Sequence, residues 1–320
     1  MDMKNESGFQ TKPRKKVKFD PRNLIILAMG ISLAVLGVKT SELDKALTED
    51  EEYISAEASR VFEYYGEKDV INLADPTYGD TWLAALSDVP RHEMDFDNVR
   101  LENGFKNYYI DGVKANTTGI DVSYHQGDID WETVKADGVD FAMLRLGYRG
   151  YESGQINVDE RFHEYADEAL GAGLDIGVYF YSQAVTPEEA VEEAEAVLNE
   201  IGDYEIMYPV VFDWEIVGDE SARTNVVSAD VLNECAAAFC NRIAKGGYIP
   251  MVYSVKRMAL TKFDMSRLAG FDFWLAEYRD IPEYPYYFTM WQYASDGHVN
   301  GIEGEVDLNM SLVDYSEVKR

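Results

Sequence analysis

Pro209-Val210-Val211-Phe212-Asp213-Trp214-Glu215 is the stretch on which the fold of this chain turns. Four apolar residues lead straight into an acid, a tryptophan and a second acid. A short apolar, β-branched run is the pattern of a strand buried on both faces, as in a parallel sheet covered by helices. Side chains alternate along a strand, so Asp213 and Glu215 project one way and Trp214 the other. An isolated Asp-x-Glu is usually a solvated face. At the C-terminal end of a buried barrel strand, where β/α barrels carry their chemistry, it becomes a candidate site.

Similar runs recur on both sides of this one. Residues 118–122, 141–147, 175–180, 249–255, 273–276, 288–293 and 305–308 read as strands, with 209–215 as the fourth in order. Helices lie between the early ones. Over 159–172, Phe162, Ala166, Ala169 and Leu170 share a face that stops at Gly173. Thr186-Pro187-Glu188-Glu189 is a capping box with proline at the first helical position. A third helix over 229–245 runs into Gly246-Gly247. The later connections are too short for full helices. Eight strands with helices after the first five predict an α/β fold, a parallel (β/α) barrel of the TIM type with a degraded final third. Residues 116–320 are at the low end of the roughly 200–400 residues such barrels use.

Other strand ends are acidic too. Strand one carries Asp121 in Gly119-Ile120-Asp121-Val122-Ser123, and the last carries Asp307 in Val306-Asp307-Leu308-Asn309. These two strands adjoin once a barrel closes. Asp121 alone could be a turn residue and Asp307 alone an arginine's partner; their shared placement is the stronger signal. Acids crowded in a partly desolvated mouth cannot all ionise, so one pKa rises. A carboxylic acid that keeps its proton beside an ionised carboxylate is what cleavage of a glycosidic bond requires. Aromatics fall on or just after the same strands. Tyr148, Tyr179, Tyr181, Tyr253 and Trp274 are candidates for sugar binding, as amphipathic rings suit the apolar faces and polar rims of sugars. Tyr278, Trp291 and Tyr293 belong to the same set, about half of which core packing explains. Gln126 and Gln292 offer amides at the mouth.

The 320 residues are 46% hydrophobic and 28% charged, a folded composition. The formal charge is −30, which argues against nucleic acid as a partner. Cys235 and Cys240 sit about 140° apart on the predicted helix, so they do not bridge. The histidines at 92, 125, 163 and 298 have no metal-ligand spacing, and no cofactor is expected. Residues 1–39 differ from the rest, with eight basic and three acidic residues. A basic leader over 1–23 precedes the uncharged run 24–38. That is the layout of an export signal with its positive end in the cytoplasm. No Ala-x-Ala cleavage signal follows, and Lys39 can snorkel. The expectation is a retained single-pass membrane anchor with the body outside the cytoplasm; a cleaved signal and a secreted protein is the alternative. Residues 39–115 are expected to form a partly helical stalk, with Ile54, Ala58, Val61, Phe62 and Tyr65 at helical spacing.

The motifs also resemble those of the glycoside hydrolase family 25 lysozymes, the Chalaropsis-type muramidases. Gly119-Ile120-Asp121-Val122-Ser123, Gly177-Val178-Tyr179-Phe180-Tyr181, Asp213-Trp214-Glu215, Tyr253-Ser254, Trp274-Leu275-Ala276, Trp291-Gln292-Tyr293 and Val306-Asp307-Leu308-Asn309 occur in that family's order across about 116–320. The resemblance implies an irregular barrel of five β/α units and three further strands. It implies a retaining β-1,4-N-acetylmuramidase acting on peptidoglycan, needing no cofactor, with a monomer expected. Glu215 would be the acid/base and Asp213 a nucleophile or a stabiliser of an oxazolinium ion, with Asp121 and Asp307 completing the acidic cluster. Tyr148, Tyr179, Tyr181, Tyr253, Trp274 and Gln292 would bind substrate. A chitinase-like N-acetylglucosaminidase wants Asp-x-x-Asp-x-Asp-x-Glu, which fails at Tyr208 and Val211. A catalytically silent glycan-binding barrel would keep the aromatics and lose the acid.

Overall fold

In a computed structural model of the chain, residues 70–75 and 79–318 are described. The basic leader, the anchor segment 24–38 and the helix expected over 54–65 lie outside them. Among the described residues no helix is long and apolar enough to cross a membrane. Eight described strands close into a barrel: β1 (Thr117–Val122), β2 (Phe141–Arg149), β3 (Asp175–Ser182), β4 (Ile206–Trp214), β5 (Pro250–Val255), β6 (Asp272–Ala276), β7 (Met290–Gly297) and β8 (Val306–Ser311). Strands adjacent in sequence are adjacent in the sheet, and β8 returns to pair with β1. Helices follow the first five strands, as expected: α1 (Trp131–Ala136), α2 (Phe162–Gly171), α3 (Pro187–Glu200), α4 (Ala229–Lys245), then the short α5 (Lys256–Thr261) and α6 (Met265–Leu268).

The caps follow the sequence chemistry closely. Thr186 accepts from the Glu189 amide with Pro187 at the first turn of α3. Glu189 reaches back to the Val185 amide, one residue before the expected partner. Helix α2 starts at Phe162 rather than 159, because Asp159 is buried and bound to Arg145. Cys235 and Cys240 are buried, unbridged thiols on α4.

One expectation is corrected. The sheet is parallel from β1 to β7, but β8 runs antiparallel to both β7 and β1. The cause is chain length. A parallel return needs a crossover of about a dozen residues or more, whereas the segment 298–305 permits only a hairpin-like reversal. The reversal decides where Asp307 lies. Near the start of an antiparallel strand, it stands at the same mouth as the C-terminal ends of the others, paired in register with Asp121.

The opposite end of the barrel is plugged. Phe141 stacks on Tyr208 with centroids 4.1 Å apart, and Tyr208 meets Tyr315 edge-on. The Tyr315 hydroxyl donates to Asp272 and accepts from the Thr289 hydroxyl. Phe141 fits only because β1 has no side chain opposite it: a Cβ on Gly119 would lie 2.2 Å from the ring. Trp214 points outward into the apolar layer between strands and helices, with Trp291 and Tyr293.

The described part of the region before the barrel consists of β-strands and one 3-10 turn, Phe96–Asn98. Val70–Asp75 pairs with Gly79–Ala84, and Val99–Glu102, Phe105–Ile110 and Val113–Lys114 form an antiparallel sheet. Both turns of that sheet are Asn-Gly or Asp-Gly pairs. Asn103, Gly104, Asp111 and Gly112 all have positive φ, the geometry that matches strand twist in two-residue hairpins. Phe105 enters the barrel's apolar layer, and the Lys106 amide donates to the Tyr293 hydroxyl. This sheet is a layer on the barrel.

Gly119→Ala should push Phe141 against Tyr208 and lower stability by about 1–3 kcal/mol. Chemical denaturation of the variant, with an unchanged m-value and a lower midpoint, is the expected result.

Candidate active site

The open mouth holds a cavity of about 300 Å³. Asp121, Asp213, Glu215 and Asp307 all line it, from β1, the end of β4, the residue just beyond β4, and β8. Tyr179, Tyr181, Tyr253, Trp274 and Gln292 line it too. Tyr148 does not. Its ring packs beside the Arg145 guanidinium, 5.5 Å from the ring centroid, next to a residue that does line the cavity.

Asp121 is buried and fully engaged on one oxygen. Its Oδ2 accepts from Gln292 Nε2 at 2.8 Å and from Asn309 Nδ2 at 2.7 Å. The orientation of each amide is set by its other end. Gln292 Oε1 accepts from the Tyr253 and Tyr278 hydroxyls, and Asn309 Oδ1 from Trp274 Nε1. Burial pushes the Asp121 carboxyl up to about 6, against the two amides, with Glu215 adding to the rise.

The other acids have fewer partners. Asp213 is buried, and its Oδ1 has no hydrogen-bond partner. Burial, then the charges of Glu215 and Asp121, hold its carboxyl well above the usual range, while Arg145 pulls it down. Burial also raises Glu215, opposed by the Tyr253 hydroxyl. Asp307 is pushed up to about 8 by burial and by Asp121 and Glu215. A cluster of this kind holds protons at neutral pH beside ionised neighbours, the condition for acid catalysis by a carboxyl group. Burial likewise raises Tyr179, Tyr181 and Tyr253, which stay neutral hydroxyls.

Three residues were missed in the sequence. Arg145 is the one lysine or arginine lining the cavity, held by Asp159 at 2.7 Å through Nε and Nη2 and lying 5.0 Å from the Tyr124 ring centroid. A lone arginine in the otherwise apolar 141–147 was the available signal. Asp159 had none, since it sits at the foot of an amphipathic run. Asn309 was two residues from Asp307 in a motif already singled out, but its partner is Trp274, distant in sequence.

The pattern of Glycosyl hydrolases family 25 matches residues 120–302. The chain is 27% identical over 192 residues to the Autolytic lysozyme of Clostridium acetobutylicum, covering 60% of this chain and 54% of that one. It is 26% identical over 205 residues to Lysozyme M1 of Streptomyces globisporus, covering 61% of this chain and 67% of that one. The chain thus spans about half the length of the clostridial relative. The solved modular autolysin LytC from Streptococcus pneumoniae has a TM-score of 0.55 at 23% identity, over 76% of this chain and 56% of that one, a likeness of fold.

Asp307→Asn tests the electrostatics. Asp307 keeps its proton in the fold up to about pH 8, whereas it ionises near about 4 when unfolded. Between those values the native state binds the extra proton, so its presence lowers stability progressively as pH rises. The asparagine variant should match the parent at pH 3–4 and exceed it increasingly up to about pH 8. Thermal midpoints across that range check the sign.

Proposed function

As the chain belongs to Glycosyl hydrolases family 25, we propose that it hydrolyses peptidoglycan, cutting the β-1,4 bond between N-acetylmuramic acid and N-acetylglucosamine with retention. The observation that carries this is the set of four carboxyls around one cavity, every one of them raised by burial. The lysozyme names of the two curated relatives point to the same substrate.

In this proposal Glu215 is the acid/base. It stands beyond the end of β4, half-buried, where a raised pKa lets it carry a proton to the glycosidic oxygen and then take one from water. Asp213, whose Oδ1 has no hydrogen-bond partner, attacks the anomeric carbon or stabilises the oxazolinium formed by the substrate's acetamido group. Asp121 and Asp307 supply negative potential opposite the developing cation. Tyr179, Tyr181, Tyr253, Trp274 and Gln292 bind the sugars. Arg145 limits the accumulated charge. Residues 116–320 act as the catalytic barrel. The basic leader and apolar run 24–38 tether the enzyme to the membrane with the barrel outside the cytoplasm, keeping it close to its substrate. A monomer suffices, since every group named comes from one chain.

Glu215→Gln should reduce clearing of a suspension of purified cell walls by about 10²–10⁴-fold, with the fold intact by circular dichroism. Unchanged clearing would refute the assignment. Asp213→Asn should be severely impaired as well. Residual turnover of Asp213→Asn on a substrate lacking the acetamido carbonyl separates the two mechanisms. Mass spectrometry of released fragments should find N-acetylmuramic acid at the reducing end; N-acetylglucosamine there would mark a glucosaminidase. Membrane fractionation with N-terminal sequencing tests the tether, and a mature chain starting near Val38 would reject it.

A further inference from the structure

A second groove, of about 650 Å³, opens between the barrel and the sheet that precedes it. Tyr278 lines both this groove and the catalytic cavity. One wall is barrel, from Tyr293 to Gly297. The other is Leu101, Gly104 and Lys106, which lie before the residues that match the family pattern. We propose that this groove holds further sugar units of the glycan strand whose bond is cut in the cavity. The proposal rests on the peptidoglycan-cleaving reading above and gives the β-layer a role in it.

Size is the first reason. The cavity alone is small for a polymer, and binding energy gathered away from the reacting bond can raise the rate of the chemical step. Surface chemistry is the second. Leu101 is 72% exposed and Tyr278 50% exposed, and both line the groove. The Tyr278 hydroxyl is spent on Gln292, so its ring face is what remains for a ligand. Apolar faces edged with polar groups match the C–H faces of sugars.

Charge selects the glycan over the peptide stems. Both cations in the groove are already engaged. Lys106 Nζ donates to the carbonyls of Arg279 at 2.6 Å and Asp280 at 3.1 Å, and Arg279 pairs with Glu283. The exposed Asp280 carboxylate pairs with Lys106 Nζ at 3.8 Å, and the Asp296 side chain is exposed in the lining beside them. Carboxylates accept hydrogen bonds from sugar hydroxyls and repel the carboxylates of stem peptides. The wall is also held in place. The Lys106 amide donates to Tyr293, and its ammonium lies 4.8 Å from the Trp291 ring centroid. A groove fixed before binding loses less entropy on filling.

The test uses the full chain with Glu215→Gln, which binds without cutting. Calorimetry compares β-1,4-linked N-acetylglucosamine oligomers of two and six units. The hexamer should bind about tenfold more tightly than the dimer. Adding Ser295→Trp, which fills the groove from an exposed position, or Leu101→Asp should remove that advantage and leave dimer affinity unchanged. Equal affinity of the two oligomers, or an advantage that survives both variants, overturns the proposal. Displacement of the hexamer by a soluble stem tetrapeptide overturns it in favour of a peptide site. Failure of both oligomers to bind would overturn the glycan reading of the cavity itself, and the groove's role with it.

Discussion

Two amide hydrogen bonds onto one oxygen of Asp121 hold the working end of this barrel together. Gln292 comes from β7 and Asn309 from β8, so the acid on β1 is tied to both strands that complete the sheet. The amides are themselves held by Tyr253, Tyr278 and Trp274. These bonds support one another, and in a low-dielectric interior such a network has a single favourable arrangement. Closure of the barrel and geometry of the site are thus one problem with one solution. An unpaired amide or carboxylate there would forfeit its hydration with nothing in return.

The neighbouring acids depart from that rule, and the departure is informative. Asp213 keeps an oxygen without a partner, and Glu215 and Asp307 have raised pKa values that oppose folding when they ionise. A single arginine, oriented by a buried aspartate, faces them. Groups that weaken the fold and do not satisfy one another are the kind retained for chemistry. Phe141 stacked on Tyr208, with Tyr315 edge-on to it, supplies the contrasting case at the far end, a packed floor opposite the open mouth.

The sheet over 99–114 links the two themes. It docks through Phe105 and Lys106 onto the strand and loop that present Gln292 and Tyr278. Its turns were legible in principle, because Asn103-Gly104 and Asp111-Gly112 are strong hairpin signals once positive φ is considered. Its docking was not legible, since the partners of Lys106 are backbone carbonyls some 170 residues away.

Local pattern was enough for the eight strands, the helices after five of them, the caps of α3 and α4, and the gathering of Asp121, Asp213 and Glu215. Those features follow from alternation, from turn and cap chemistry and from the position of strand ends, all of which act over a few residues. Only the tertiary structure decided the reversal of β8, the turning of Tyr148 toward Arg145, and the roles of Arg145, Asp159 and Asn309. Each of these depends on which distant group fills a hydrogen bond or a gap, and a linear pattern does not record that. Asp307 shows the division within one residue. Its neighbours in sequence mark it as a strand acid, but the antiparallel return of its strand is what brings it to the mouth beside Asp121.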